Sequence, residues 1–158
     1  MKTLKVVGIS GVGKTTLMAL FVNKNPCCSA LSYGEYLARY EGEADKYWAI
    51  DLASARGLVV IGDHLEWGDK DFVAIYRAEE TRGILLLTVT PHELVERRKR
   101  DTARNRSLDA LGIIAEQALS EDRARHIARE LSIPIRSLHD ATTLESYAAL
   151  TALAQEVG

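Results

Sequence analysis

Cysteine is nearly absent from the chain, and the two that occur, Cys27 and Cys28, are adjacent. Neighbouring cysteines strain an intramolecular disulfide and give no CxxC spacing for zinc or thiol redox chemistry. A disulfide scaffold and a zinc module are therefore excluded, and the pair is expected in the core or on an edge strand. Long apolar runs are missing too, none approaching the roughly 20 residues a membrane span needs. The opening MKTLKVVGIS has neither the apolar length nor the small-residue cleavage site of a signal peptide, so the cytoplasm is the expected compartment. Charge of one sign is also lacking: 20 Lys and Arg stand against 22 Asp and Glu, and a net charge of -2 offers no overall field for nucleic acid. There is no internal repeat, low-complexity tract or linker. What remains is a chain of 158 residues, 47% apolar and 27% charged, expected to form one domain over 1–158 with a sheet-and-helix core.

Apolar periodicity divides that chain into alternating strands and helices. Residues 3–9, TLKVVGI, form a β-branched run, and TTLMALFV carries Leu17, Leu20 and Phe21 at helical spacing, so strand, glycine loop and helix follow one another. Asn23, Asn25 and Pro26 end that helix, and CCSALSY reads as a second short strand. Residues 33–56 are mixed helical with a break at Gly42. LVVIGD at 58–63 and ILLLTV at 84–89 are continuous apolar runs of the kind a parallel sheet buries on both faces. Thr90, Pro91 and Glu93 mark a helix start in which Thr90 caps and Glu93 answers it three residues on. A lid-like segment at about 100–113 precedes a helix through about 114–131 and the strand IPIRSL. The last helix is opened by Thr142 with Glu145 in the same capping relation, and carries Tyr147, Leu150, Leu153, Ala154 and Val157 on one stripe. Strands alternating with helices imply an α/β fold, a parallel sheet with helices on both faces.

GISGVGKTT at 8–16 carries the chemistry. Gly8, Gly13, Lys14 and Thr15 match G-x-x-x-x-G-K-[ST] between a predicted strand and a predicted helix, the context that gives the pattern physical meaning. Glycines at 8, 11 and 13 let the backbone turn tightly around an anion. The amides of Gly11, Val12, Gly13, Lys14, Thr15 and Thr16 then face inward, and the helix N-terminus adds its partial positive charge. Lys14 is expected on the β and γ phosphates of ATP, and Thr15 on Mg2+. Asp63, ending LVVIGD, is the expected metal acid, acting through water, with a turn or capping role as its structural alternative. His64 beside it is a weaker candidate, either a substrate contact or an ordinary hydrogen-bonded histidine.

Three fates compete for the phosphate: hydrolysis, a nucleotide-dependent switch, and transfer. A GTP switch is disfavoured because TPHEL, not N-K-x-D, follows ILLLTV. Further on, Arg97, Arg98, Lys99, Arg100, Arg104 and Arg106 fall within ten residues with Asp101 as the one acid among them. A solvated helix face can carry such a run. This one lies a strand downstream of Asp63, on the side where strand C-termini present ligands, and so complements a polyphosphate.

Together these residues resemble the archaeal-type adenylate kinases, within the P-loop nucleoside monophosphate kinases. GISGVGKTT is similar to the family's glycine loop, with Ser10 where the family usually has proline. Tyr33, Gly34 and Glu35 are similar to its Tyr-Gly-Asp, and Gly62, Asp63 and His64 stand where it has Asp-Thr-His, the acid shifted by one position. RRKRDTARNR matches its arginine run, and Arg123 falls on an arginine of its next helix. The resemblance implies a P-loop three-layer sandwich, its five-stranded parallel sheet ordered 2-3-1-4-5, and a reaction in which ATP and AMP give two ADP. It implies that Arg100, Arg104, Arg106 and Arg123, with Lys14, clamp the phosphates and neutralise the charge that builds in transfer, and that Tyr33 and Gly34 border the acceptor. The family's long segment between the second and third strands is reduced here to about 33–56. Arg39 is its nearest basic candidate, and Tyr33, Tyr36, Tyr40 and Trp48 are either base-stacking or core. The expected partners are ATP, Mg2+ and a small acceptor, AMP first, with no membrane and no nucleic acid. Two alternatives stand: a kinase for another nucleotide or small molecule, and a P-loop module with slow ATPase activity whose arginine run grips RNA or a protein.

Overall fold

Each apolar run of the sequence becomes a strand of one parallel sheet. In the computed structural model, which describes residues 2–65, 70–101 and 106–158, these are β1 (Lys2–Val7), β2 (Ser29–Ser32), β3 (Leu58–Asp63), β4 (Thr81–Thr88) and β5 (Ile135–His139). Their order is β2-β3-β1-β4-β5. The helices are α1 (Lys14–Lys24), α2 (Tyr33–Arg39), α3 (Ala44–Ser54), α4 (Phe72–Ala78), α5 (Pro91–Arg100), α6 (Ala110–Leu131) and α7 (Thr143–Val157).

Alternation along the central strands explains why these runs are apolar throughout. Leu4 and Val6 of β1, Val60 of β3, and Leu85 and Leu87 of β4 enter the layer filled by α1 and α7. Val7, Ile84 and Leu86 point the other way, toward α4 and α6, and Val59 and Ile61 pack on Trp48 and Leu52 of α3. Side chains at i and i+2 share a face, so strands sandwiched between two helical layers are apolar on both faces except where a buried polar side chain finds a partner, as Thr3 and Lys5 of β1 do. The central position of β1, between β3 and β4, delivers the glycine loop to the middle of the sheet's C-terminal edge.

Several expectations are refined. Cys27 is exposed and Cys28 half-buried, and both precede β2 rather than lying in it or in the core. Met18 joins Leu17 and Phe21 on the buried face of α1, while Leu20 is only half-buried. Gly42 separates α2 from α3 with a left-handed φ of 77°. Thr90 does precede α5, but its side chain caps nothing among the described residues. Its hydroxyl instead donates to Asp140 at 2.5 Å, and its amide to the same carboxylate at 2.8 Å, because the end of β5 lies beside the end of β4. Thr142 and Glu145 form the full reciprocal box on α7. The expected sequence of elements lacks α4, a seven-residue helix.

Candidate functional site

The loop between β1 and α1 adopts the shape its glycines permit. Gly11 and Gly13 take left-handed φ values of 102° and 104°, which L side chains rarely adopt. Gly8 is needed for room instead: a Cβ there would stand 2.6 Å from Val12 Cγ2 and 2.7 Å from the Leu87 carbonyl. No described side chain caps α1, so its first amides stay available to a ligand. The loop's carbonyls are occupied: Lys14 Nζ donates to Gly8 O and, at 3.1 Å, to Ile9 O. Arg98 Nε donates to Ser10 O at 2.9 Å, and Arg97 Nη1 reaches Gly11 O and Val12 O at 3.3 Å each.

A cavity of about 790 Å³ opens beside the loop. Gly11, Gly13, Lys14, Thr15 and Thr16 form its floor, Gly34 and Arg39 of α2 face them, and His64 and Arg106 complete it. Glu35 of α2 and Asp101 are its acids. A second cleft of about 390 Å³ lies across the loop, where Val12, Gly13 and Arg97 face Thr142, Thr143 and Ser146 at the start of α7. Arg106 Nη1 donates to Ser10 Oγ at 2.7 Å, and the same guanidinium pairs with Asp101.

Other expected residues lie elsewhere. Tyr33 does not line the cavity: its hydroxyl donates to Asp45 at 2.5 Å and accepts from Lys70 at 2.7 Å, and its ring packs edge-on against Trp48. Burial, and next its bond to Asp45, push its pKa up. Tyr36 also packs edge-on against Trp48 and donates to Asp51, so these rings join the core that α3 forms with Val59 and Ile61 of β3. Arg100 projects outward, its side chain 71% exposed and paired with Glu93 at 3.6 Å. Arg123 on α6 donates to the Leu65 carbonyl at 2.6 Å and lies over the Phe72 ring. Arg104 lies outside the described residues.

Asp63 ends β3 with its carboxylate turned to the α4 side of the sheet, accepting from Tyr76 Oη at 2.8 Å and the Leu65 amide at 3.1 Å. Its carbonyl accepts the Gly8 amide at 3.1 Å, which fixes it to the start of the loop. Beneath it runs a buried polar network. Lys5 pairs with Glu79 and sits 4.4 Å over the Tyr76 ring, while Trp48 Nε1 donates to the other Glu79 oxygen at 2.9 Å. Burial lowers the Lys5 pKa, an effect Glu79 opposes, and burial with the Asp63 charge raises that of Tyr76.

Arg97, Arg98 and Glu35 have no individual role that the sequence pattern marks out. One signal was available for Arg98. It follows Leu94, which is wholly buried, by four residues, and so lies on the inward face of α5.

No protein-family model matches the chain, and no curated protein matches it. Solved structures do resemble it. A shikimate kinase from Acinetobacter baumannii in complex with shikimate superposes with a TM-score of 0.64 at 14% identity, over 98% of this chain and 93% of that one. A shikimate kinase from Bacteroides thetaiotaomicron gives 0.58 at 18% identity over 97% and 98%. A sugar kinase from Janibacter sp. HTCC2649 gives 0.57 at 13% identity over 98% and 95%. At these identities the likeness is one of fold, a five-stranded parallel sheet ordered β2-β3-β1-β4-β5 between helical layers.

Proposed function

We propose that the chain is a kinase that binds Mg-ATP at the phosphate loop and transfers the γ-phosphoryl group to a small acceptor held against α2. The observation that carries this reading is the division of space by the loop. The smaller cleft, beside Arg97 and the start of α7, takes the base and ribose of ATP, and the triphosphate lies over the amides of the loop and α1. The larger cavity, bounded by Gly34, Arg39 and His64, takes the acceptor. A donor and an acceptor held on two sides of one phosphate cradle meet in line, and such transfer needs positioning and charge neutralisation above all. Lys14 and Arg106 supply the charge, and Arg100, Arg104 and Arg123 are proposed to add to it when substrates are bound.

Magnesium, when bound with ATP, neutralises charge across the β and γ phosphates. Thr15 and Asp63 suit it. Both offer hard oxygen donors: Thr15 lines the cavity at the first turn of α1, whereas Asp63, its backbone tied to the loop by the Gly8 amide, turns its carboxylate to Tyr76 and the Leu65 amide outside the cavity lining and would serve the ion only through water. Mg2+ keeps several of its waters, so an acid acting through water is sufficient.

The acceptor we propose carries a hydroxyl. Glu35 lines the cavity, and its carboxylate is proposed to repel the dianionic phosphate of AMP but to accept a hydroxyl's hydrogen bond and, as oxygen bonds to phosphorus and ADP leaves, its proton. The rings on which a second base would stack are packed on one another instead. One neighbour's complex with shikimate and another's description as a sugar kinase agree with this class. AMP is the second reading, favoured by the cations Lys14, Arg39 and Arg106 around the same cavity. Measuring ADP release and product mass with sugars, hydroxy acids and AMP decides between them. We expect a phosphorylated hydroxyl compound and loss of its formation in Glu35→Gln. Turnover with AMP alone would select the second reading, and turnover with none of these acceptors would count against a kinase.

A further inference from the structure

A phosphate loop holds its anion with amides, so its carbonyls must turn away and find partners of their own. Here every carbonyl from Gly8 to Val12 meets a cationic side chain: Lys14 at Gly8 and Ile9, Arg98 at Ser10, and Arg97 at Gly11 and Val12. Arg98 differs from the other two. Lys14 and Arg97 line the cavities that ligands enter, whereas Arg98 lines neither, and its side chain is only 2% exposed. Its Nη1 donates to the Ser107 carbonyl at 2.8 Å, and its Nη2 faces Glu116 of α6 at 3.4 Å. One buried guanidinium therefore joins the phosphate loop, the root of the segment between α5 and α6, and α6 itself.

Packing alone does not require an arginine there. A Cβ placed on Gly11 would stand 3.2 Å from Leu94 Cδ2 and 3.5 Å from Arg98 Cγ, so the loop already rests on the aliphatic inner face of α5. A leucine or methionine at position 98 would fill that place without the desolvation of a buried charge. We propose that Arg98 is a positioning residue: it holds the Ser10 carbonyl outward so that the following amides converge on phosphate before ATP arrives. Such preorganisation removes an ordering cost from binding and keeps the γ-phosphoryl group in line. The inference rests on the proposed ATP-binding role of the loop.

The test compares wild type with Arg98→Lys, Arg98→Gln and Glu116→Gln, using ATP calorimetry, melting without nucleotide, and amide hydrogen exchange. A charge-assisted hydrogen bond of this kind predicts an ATP Kd raised about 10- to 100-fold in the two Arg98 variants. It also predicts faster exchange confined to residues 11–16, with β1 and β4 as protected as before. Glu116→Gln, which keeps the Ser10 contact, should melt lower and bind ATP as wild type does. Folded Arg98 variants with wild-type affinity and loop exchange would make Arg98 a core residue and overturn the proposal. Should neither variant fold, the Arg98 Nε proton of the wild type decides: slow exchange with a shift on adding ATP supports the role, and exchange as fast as that of exposed Arg100 overturns it. Wild type that binds no ATP would remove the proposed function and this inference together, whereas wild-type binding with indifferent variants removes the inference alone.

Discussion

Lys5 lies in the middle of the central strand with none of its side chain in water to speak of, 1% exposed, against a Glu79 side chain 12% exposed. Removing the lysine in Lys5→Met leaves the Glu79 carboxylate buried without its cation, and a broken buried pair costs about 3–5 kcal/mol. A chain of this size loses about 2–4 °C of Tm per kcal/mol, so the melting point should fall by roughly 6–20 °C. Glu79→Gln should do comparable harm by stranding the ammonium. Combined, Lys5→Met and Glu79→Gln remove both charges of the pair, and the Gln oxygen still accepts from Trp48 Nε1, so the double variant should recover most of the loss. Thermal and urea melts of the four proteins give the coupling directly, and Trp48 fluorescence, read in a Trp67→Phe background, reports whether α3 stays seated. Because α3 backs α2, the helix proposed to border the acceptor, through Trp48, Tyr33 and Tyr36, either single variant should raise the acceptor KM more than it changes ATP affinity. Losses that add to within about 0.5 kcal/mol would mean that the two charges do not depend on each other and would refute the reasoning.

The glycines of the loop should fail for different reasons. Gly8→Ala forces a Cβ onto Val12 and the β4 backbone and should cost about 1–3 kcal/mol of stability in urea melts. Gly13→Ala meets no atom within 4 Å, so its strained φ should show chiefly as weakened ATP binding by calorimetry. Arg106→Ala should lower kcat at least about 100-fold, the scale of a lost charge-stabilising donor, and Arg100→Ala, exposed and paired with Glu93, far less; equal losses would place both over the transferring group. Thr142→Ala should cost about 1 kcal/mol through the lost cap of α7. Its partner Glu145 is held below the ordinary carboxylate range by the Thr142 amide and hydroxyl. The unfolded state therefore takes up that proton first, and the box's contribution, full at neutral pH, is lost as pH falls through the folded-state pKa. Glu145→Gln should flatten that part of the acid melt.

Strands were the most legible part of the sequence, since LVVIGD and ILLLTV are apolar at consecutive positions only because helices cover both faces of β3 and β4. Thr3 and Lys5 are the buried polar exceptions within β1, and nothing local distinguishes Lys5 from a solvent-facing lysine. Its partners Tyr76 and Glu79 lie in α4 and at its C-cap, and that helix is too short to show a repeat. The same omission hid the orientation of Asp63, whose carboxylate is set by Tyr76. Thr90 shows position legible and partner not: the helix starts where the capping pattern says, yet the hydroxyl serves Asp140, fifty residues away in sequence. The glycine loop could be read because its geometry is local. The arginine run could be located, but which of its members turn to the loop depends on how α5 seats against it. Leu94 and Arg98 go inward together, and Arg100 goes out.

The most direct test of a kinase built around this loop follows the terminal phosphate of ATP labelled at the γ position, with hydroxyl-bearing acceptors and AMP each supplied in turn. Such a kinase places the label in a phosphorylated hydroxyl compound, and Lys14→Ala abolishes this in a protein that melts as a folded chain. Label recovered only as inorganic phosphate with every acceptor, or transfer undiminished in folded Lys14→Ala, would contradict it.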